Sequence, residues 1–320
     1  MSERKIWWNG EILPESEARI SIYSSALMFG DMVFEMTRSF NKIHFKLREH
    51  FERLFRSAKS FHIDIPYTID ELEQACYTIS ELNDSEFQID DEHRLMINID
   101  RGLLSTYESM GKLGTNVIIS DFPLRFTVRG MGKLFDEGIN AVTTRQQHVP
   151  SYYIDPKVKC RSRAHLMQAN WEASQISGNN NWPILLSGSK ICEFTGSNFF
   201  IVKNGKVLTP ESQNILRGIS RDYVLKLCED ILKVETSQED VEIYDVLESN
   251  EAFTSATPFC VLPVTSINGQ QIGDGKMGRI TKSLLDSWSD RVSVDICSQI
   301  QNWDQNIIEN NGVSPYSFKK

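Results

Sequence analysis

Lys159 is the residue of this chain whose type and setting best fit covalent chemistry. It lies where a proline-marked, extended segment, residues 155–159, enters a stretch with apolar residues at helical spacing. A lysine attacks a carbonyl through its neutral amine, and burial or nearby positive charge favours that form. The neighbouring Lys157, Arg161 and Arg163 are also typical of an exposed basic run. The segment alone therefore leaves two alternatives open, a reactive amine and a solvated lysine.

Glu193 is a candidate carboxylate at the end of a predicted strand. It precedes Thr195 and Ser197, two small hydroxyl residues, and the apolar run 199–202. A carboxylate in this position either caps a turn or projects into a pocket. The local sequence is compatible with both.

Two further stretches have the chemistry of an anion site. His50 and Arg53 lie within one turn of a predicted helix over residues 48–61, where they form either a cationic clamp or two solvated polar side chains. Gly218-Ile219-Ser220 precedes another predicted helix, and free amides at the positive end of a helix dipole can seat a phosphate. Most helix starts of this type bind nothing, so neither stretch is decisive alone.

A predicted strand that begins at Met32 places an arginine beside apolar side chains. Its alternation puts Phe34, Met36 and Arg38 on one face. Such an arginine is either an edge residue that reaches solvent or a carboxylate receptor in an apolar pocket. Both interpretations suit the local sequence.

The elements that must position these residues divide into two groups. The apolar patterns of residues 1–122 predict short strands and two helices, over residues 48–61 and 69–82. This combination suits a two-layer α/β domain. Residues 123–136, rich in glycine and charge, are predicted to be an interdomain linker. Residues 137–320 predict further strands, hairpins and helices and hold the candidate lysine. The predicted fold class is therefore α/β, in the mixed α+β sense, with two domains.

Length and composition agree with this organisation and exclude several classes of protein. The chain has 320 residues, 40% of them hydrophobic and 24% charged, which is typical of a soluble globular protein of two domains. A net charge of -9 argues against nucleic acid or an anionic membrane as a partner. Six scattered cysteines without a Cys-x-x-Cys pair predict reduced thiols and no metal site. Since no signal peptide or membrane-spanning run is present, we expect a cytoplasmic protein.

Several motifs acquire specificity from their order and spacing. They are Phe29-Gly30-Asp31-x-Val33-Phe34-Glu35-x-x-Arg38, His50-x-x-Arg53-Leu54-x-x-Ser57-Ala58, Lys159 with Glu172-Ala173, Glu193-x-Thr195-x-Ser197-Asn198-x-Phe200, Leu208-Thr209-Pro210, Gly218-Ile219-Ser220-Arg221 and Thr257-Pro258. Together they resemble the fold-type-IV (class IV) pyridoxal-phosphate aminotransferases over nearly the whole chain. That family includes branched-chain aminotransferases, D-amino acid transaminases and aminodeoxychorismate lyase.

The resemblance implies pyridoxal 5'-phosphate as cofactor and a role for each matching residue. Lys159 matches the lysine that forms a Schiff base with the cofactor and later moves the proton between the substrate Cα and the cofactor. Glu193 matches the carboxylate that keeps the pyridine nitrogen protonated, so that the ring acts as an electron sink. The other cofactor-binding residues that it implies are Arg53, Ser197, Asn198, Ile219, Ser220, Ala256 and Thr257, and the substrate residues are Phe34, Met36 and Arg38.

The same resemblance implies an architecture. The expected fold is a small N-terminal α/β sandwich and a larger C-terminal α/β pseudo-barrel that carries the lysine, with the cofactor between them. The expected assembly is a homodimer whose partner chain contributes to the site.

Some positions depart from the branched-chain enzymes of this family. Met36 stands where those enzymes have glycine, which should shrink or reshape the substrate pocket, whereas Arg38 matches their pocket arginine. Ala164 replaces a tyrosine near the cofactor. Met96 takes the place of a second pocket arginine, although Arg94 is close. These departures concern the substrate and not the chemistry at the lysine.

The resulting prediction is a ping-pong aminotransferase. It moves an amino group from an amino acid, branched-chain or otherwise hydrophobic, to a 2-oxo acid such as 2-oxoglutarate or pyruvate. The alternatives are a lyase that resembles aminodeoxychorismate lyase, a D-amino acid transaminase, and a non-catalytic binding protein with the same fold. The retention of Lys159, Glu193 and Arg53 together argues against the last.

Overall fold

The computed structural model describes residues 3–211 and 213–305. The chain divides into two compact units, Met1–Thr127 with Val158–Arg163, and Val128–Lys157 with Ala164–Lys320. The division after residue 127 falls inside the predicted linker 123–136, whereas the segment with Lys159 groups with the first unit. Residues 306–320 of the predicted C-terminal domain lie outside the described residues.

The first unit is an antiparallel sheet covered by two helices. Its strands are β1 (Lys5–Trp8), β2 (Glu11–Pro14), β3 (Met32–Met36), β4 (Ser39–Phe40), β5 (Ile43–His44), β6 (His93–Asp100) and β7 (Asn116–Pro123), and its helices are α1 (Ser25–Phe29), α2 (Leu47–Ser60), α3 (Ile69–Asn83) and α4 (Arg125–Val128, which crosses into the second unit). The main sheet has the order β2-β1-β7-β6-β3. Buried and half-buried residues alternate along β7, as expected when one face packs on helices.

The second unit is built on a larger mixed sheet. Its strands are β8 (Ile139–Thr143), β9 (Asn181–Ser187), β10 (Lys190–Phe194), β11 (Asn198–Lys203), β12 (Lys206–Thr209), β13 (Thr236–Gln238), β14 (Glu251–Ala256), β15 (Cys260–Ile267) and β16 (Gln270–Gln271). Its helices are α5 (Leu134–Glu137), α6 (Ala164–Ser174), α7 (Ile219–Lys226), α8 (Ile243–Leu247), α9 (Arg279–Val292) and α10 (Ile296–Asp304). A π-helical turn, Leu227–Leu232, continues α7.

The strand order of this sheet explains the apolar sequence of its strands. The order is β10-β9-β8-β15-β14-β11-β12-β13, and β10 also pairs with β11, so the sheet closes on itself from β10 round to β11. Strands of such a sheet are buried on both faces, and β9 and β11 are buried along almost their whole lengths. The mixed α/β fold class predicted from the sequence is confirmed.

Most elements follow the predicted periodicities, with two differences. The predicted interdomain linker 123–136 contains α4 and most of α5, and the chain forms the helix α10 after α9, where none was predicted. The α10 helix buries only Ile296 and Ile300 and begins at the cap residue Asp295, whose side chain accepts a bond from the Ser298 amide. Ile296, Ile300 and Trp303 recur at helical spacing, a signal of this helix that was overlooked in the sequence. Of the helices in the described part of the chain, none is long and apolar enough to span a bilayer.

Candidate active site

The backbone around Lys159 is fixed as an additional strand beside β3. Cys160 forms an isolated antiparallel bridge with Val33, and Phe34 donates its amide to the Lys159 carbonyl at 3.0 Å. The Lys159 amide in turn donates to Ser57 Oγ of α2 at 3.2 Å. The Lys159 Nζ lies 4.8 Å from the centroid of the Phe34 ring. The Lys159 amine is therefore held beside an aromatic ring on a fixed backbone.

Arg53 lies in a buried ion cluster on the helix-covered side of β3. Its Nε and Nη2 donate to the two oxygens of Glu35 at 2.6 and 2.8 Å, and His50 Nδ1 lies 2.7 Å from Glu35 Oε2. Burial alone would raise the pKa of Glu35, but the charges and hydrogen bonds of Arg53 and His50 outweigh it and hold that pKa well below its usual range. Burial lowers the pKa of His50. No role for Glu35 was predicted from the sequence, although a carboxylate between buried apolar strand residues needs a cation from the helix packed against it.

Glu193 occupies the end of β10, where three groups fix its carboxylate. Asn198, its register partner on β11, donates through Nδ2 to Oε2 at 2.9 Å, and the Leu216 amide donates to Oε1 at 3.1 Å. His148 Nε2 lies 3.5 Å from Oε1. These contacts hold the Glu193 carboxylate in one orientation, as is needed for an anion that pairs with one positively charged atom of a ligand. His148 carried no signal in the sequence because its approach depends on a loop 45 residues away.

The second candidate anion site of the sequence is a hydroxyl pair at the start of α7. Ser220 Oγ lies 3.5 Å from Thr257 Oγ1, and Thr257 follows Ala256 at the end of β14. Gly218 is the cap residue of α7, and no described side chain caps this end. Ile219 begins the helix there, so its amide belongs to the uncapped first turn. Hydroxyls beside free helix-start amides are the donor set that a phosphate group prefers.

Gly218 also connects this turn to the Glu193 carboxylate. A Cβ on Gly218 would lie 2.1 Å from Asn198 Oδ1, so only glycine fits against that amide. The Asn198 side chain bonds Glu193 on its other end. Ser197, predicted as a cofactor residue, accepts a hydrogen bond from Thr254 Oγ1 at 2.7 Å within the sheet. The second unit therefore brings Glu193, Asn198, Ser220 and Thr257 into one connected arrangement.

The predicted substrate residues lie on or just after β3. Phe34 is buried and Met36 is half-buried opposite Met96 of β6. Arg38 is fully buried; its Nε donates to the Ser39 carbonyl at 3.1 Å. Arg94, the nearby arginine, donates through Nη1 to the Thr37 carbonyl and lies with Nη2 3.8 Å from Met36 Sδ. Among residues 3–211 and 213–305, no three His, Cys, Asp or Glu side chains form a group able to hold a metal ion.

Comparison with known proteins decides what this arrangement belongs to. The sequence profile of the family described as amino-transferase class IV matches residues 32–267 of the chain. The chain is a class IV aminotransferase. The family and the transaminase activity predicted from the motifs are thereby confirmed.

Individual relatives agree with this assignment. The class IV aminotransferase is 33% identical to a putative branched-chain-amino-acid aminotransferase of Methanocaldococcus jannaschii over 89% of its length and 96% of that protein. It is 26% identical to a D-alanine aminotransferase of Staphylococcus haemolyticus over 89% of its length and 96% of that protein. The crystal structure of the Escherichia coli branched-chain amino acid aminotransferase superposes with a TM-score of 0.79 at 26% identity, covering 90% of this chain and 94% of that one. Class IV aminotransferases use pyridoxal phosphate.

Proposed function

We propose that this aminotransferase transfers the amino group of a hydrophobic, branched-chain-like amino acid to a 2-oxo acid, with pyridoxal phosphate carried by Lys159. The observation that supports it most is the fixed Lys159 segment, in which backbone bonds to β3 and α2 hold the amine against Phe34. A surface lysine in a basic run would need no such support. These backbone bonds therefore favour a reactive amine at Lys159 over a solvated lysine.

The residues present fit this cofactor. Ser220 Oγ and Thr257 Oγ1 would donate to its phosphate, together with the amides at the start of α7. Ser255 Oγ, next to Ala256 near the end of β14, is buried with no hydrogen-bond partner in the described part of the chain, as expected of a donor that serves a bound group. Arg53 would contribute its positive charge, oriented by Glu35.

The chemistry divides between two protein groups. When bound, pyridoxal phosphate supplies an aldehyde for the amine and a ring that withdraws electrons from the substrate Cα. Lys159 Nζ would bond to that aldehyde and, once displaced by the substrate amine, move the proton at Cα. Glu193, held by Asn198 and the Leu216 amide, would keep a proton on the ring nitrogen.

The hydrophobic substrate is proposed from the side chains beside the amine. Met36 and Met96 are half-buried neighbours across β3 and β6, on the same sheet face as Phe34. The branched-chain names of several relatives favour the same class. The D-alanine aminotransferases among the relatives support a second candidate, a D-amino acid transaminase.

A spectroscopic half-reaction tests the proposal. We expect the purified protein with pyridoxal phosphate to bind it covalently at Lys159, which borohydride reduction and peptide mapping would locate. We then expect one subset of L- or D-amino acids to convert the cofactor to its amine form. Lys159→Ala should lose both results, whereas Lys157→Ala, two residues away, should keep them. A protein that never binds the cofactor at residue 159 would contradict the proposal, and pyruvate release without an oxo-acid acceptor would indicate a lyase.

We also propose a homodimer, in keeping with the assembly and cytoplasmic location predicted above. The first unit exposes a run of apolar side chains before and within α1, namely Ile20, Ile22, Leu27, Met28 and Phe29. Phe29 is 63% exposed, and contiguous apolar patches on a globular protein mark association surfaces. Sedimentation equilibrium should give a mass of two chains for the wild type. For Phe29→Glu, the measured mass should shift toward that of a single chain.

A further inference from the structure

Arg221 is a buried arginine in the first turn of α7. It is the third residue of that helix, directly after Ser220, and its exposed fraction is only 5%. Arginine side chains are almost never buried to this extent unless their charge is paired. The contacts of Arg221 therefore indicate whether its charge is balanced within the fold or by a ligand.

The hydrogen bonds of Arg221 go to neutral acceptors. Its Nη2 donates to the Pro210 carbonyl at 3.0 Å and to Gln238 Oε1 at 2.9 Å. Its Nε is buried and has no hydrogen-bond partner among residues 3–211 and 213–305. Pro210 follows β12 and Gln238 ends β13, so these contacts tie the guanidinium to two strand ends. They do not balance its charge.

The two acidic residues that act on Arg221 are bonded to other groups. The Glu193 carboxylate is held by the contacts described above, and Asp222 pairs with Lys226 at 2.8 Å. Burial lowers the pKa of Arg221 to about 10, and the charges of Glu193 and Asp222 oppose this change without outweighing it. Arg221 is thus protonated at neutral pH, and no ion pair in the described part of the second unit balances it.

Gly218 packs Arg221 close to the hydroxyl pair at the start of α7. A Cβ on Gly218 would lie 3.2 Å from Arg221 Cβ and 2.1 Å from Asn198 Oδ1, so both side chains lie against the cap residue of the helix. Asn198 is in turn the register partner of Ser255, whose buried hydroxyl also has no partner among the described residues. Two buried donors, Arg221 Nε and Ser255 Oγ, therefore lie within one or two positions of the hydroxyl pair and are unused by the fold.

A phosphate group fits this arrangement, since it carries close to two negative charges and accepts hydrogen bonds from hydroxyls and helix-start amides. We propose that Arg221 supplies a buried positive charge that attracts the phosphate of the cofactor to the start of α7. Ser220, Thr257 and the helix-start amides contact the phosphate oxygens, and Arg221 acts through its charge. This inference rests on the proposed function, because it takes pyridoxal phosphate as the ligand.

A purely structural role is the competing explanation for Arg221. Its two hydrogen bonds connect the first turn of α7 to Pro210 and Gln238, and a clamp of this kind needs the fork of a guanidinium. A lysine keeps the charge at this position but cannot reproduce the fork. Glutamine keeps a hydrogen-bond donor and loses the charge. The two substitutions therefore separate an electrostatic role from a structural one.

The test compares two aldehydes that differ only in the phosphate. Pyridoxal phosphate and pyridoxal are titrated by absorbance into the cofactor-free wild type, Arg221→Gln and Arg221→Lys. The matched control is Lys226→Gln, which removes an exposed cation from the last turn of the same helix. The phosphorus NMR signal of bound pyridoxal phosphate is then followed from about pH 5.5 to about pH 9 at saturating cofactor, a range that spans the second pKa of a phosphate ester.

We expect Arg221→Gln to raise the dissociation constant for pyridoxal phosphate about 10- to 100-fold, because only this ligand carries the phosphate charge. The dissociation constant for pyridoxal should change less than about twofold. Arg221→Lys should recover most of the affinity for pyridoxal phosphate, and Lys226→Gln should behave as the wild type does. Melting temperatures of the cofactor-free proteins establish that each variant is folded.

The phosphorus signal gives a second readout, which a structural role would not move. A nearby cation favours the dianion, so the wild-type signal should stay constant above about pH 6. In Arg221→Gln the second pKa of the phosphate should rise, and the signal should shift with pH between about pH 6 and 7.5. A wild-type signal that titrates as that of the free cofactor does would overturn the inference without any variant.

Two further results would overturn it. One is an equal loss for pyridoxal phosphate and pyridoxal, or no loss for either, because Arg221 would then not act on the phosphate. The other is the same loss in Arg221→Lys and Arg221→Gln with an unchanged phosphorus signal, which would make Arg221 a structural clamp. A wild-type protein that binds neither aldehyde at Lys159 would instead refute the proposed function.

Discussion

Replacing Glu35 by glutamine tests the buried ion cluster directly. The Glu35 carboxylate is fully buried and accepts two hydrogen bonds from Arg53, with His50 on the same group. Glu35→Gln keeps the size of the side chain but removes its charge. Arg53 would then remain buried without its counter-charge, which is the costly case for a buried pair.

The expected loss follows from that uncompensated charge. Removing one partner of a buried ion pair costs about 3–5 kcal/mol, and the retained amide oxygen of glutamine places Glu35→Gln near about 3 kcal/mol. At about 2–4 °C per kcal/mol, the melting temperature should fall by about 6–12 °C. The matched control is Glu49→Gln on α2, where the half-exposed pair with Lys46 is worth at most about 0.5 kcal/mol.

The pH dependence of the stability difference between Glu35→Gln and the wild type is a second test. Because the folded-state pKa of Glu35 lies below its unfolded value, the cluster stabilises the protein fully above about pH 4.3 and loses this stability as the pH falls further. Glu35→Gln has no such group, so its difference from wild type should narrow between about pH 4.5 and 3. Thermal unfolding followed by circular dichroism, without added cofactor, measures both quantities. A difference under about 2 °C at pH 7, or one that widens in acid, would refute the reasoning.

Three further predictions concern other parts of the chain. Burial lowers the pKa of His44 to about 3, so below about pH 6.5 the unfolded state binds a proton that the folded state does not. The free energy of unfolding should therefore fall by up to about 1.4 kcal/mol for each pH unit below that value. In His44→Gln, the melting temperature should depend less steeply on pH than in the wild type. Gly218→Ala should raise the dissociation constant for pyridoxal phosphate at least about 10-fold in an absorbance titration, because its Cβ would displace Asn198; equal affinity would show that Asn198 moves without consequence. Met36→Gly should raise kcat/KM for amino acids with bulkier side chains relative to kcat/KM for alanine, since it removes the side chain that faces Met96. If this ratio of kcat/KM values is unchanged, the substrate lies elsewhere.

The sequence predicted the second-unit arrangement better than the first because its contacts are local. Glu193 and Asn198 are five residues apart, and a hairpin between β10 and β11 necessarily brings them together. Gly218 and Ser220 share one helix start, which composition alone identifies. Where contacts join near neighbours in the chain, residue types and spacing suffice to name the residues that come together.

The first-unit arrangement depends on pairings between distant residues, which periodicity does not specify. Cys160 pairs with Val33 across 127 positions, and only that pairing shows that Lys159 and Arg161 lie across from Phe34 and Met32 of β3. In the sequence, Arg161 is one cation of a basic run. The role of Glu35 was hidden for the same reason, because its partner Arg53 comes from a helix that follows in the chain but packs by tertiary contact.

The alternation along β3 explains why one strand can carry two sets of residues under different constraints. Val33 and Glu35 point toward the helices, where apolar packing and a buried ion pair allow few substitutions. Phe34 and Met36 point the other way, toward the amine. A register slip of one residue would exchange the two sets and bury the wrong face, so the ion pair also holds Phe34 and Met36 on their face. On the proposed function, a change at Met36 can therefore alter specificity, while Glu35 keeps the strand in its register.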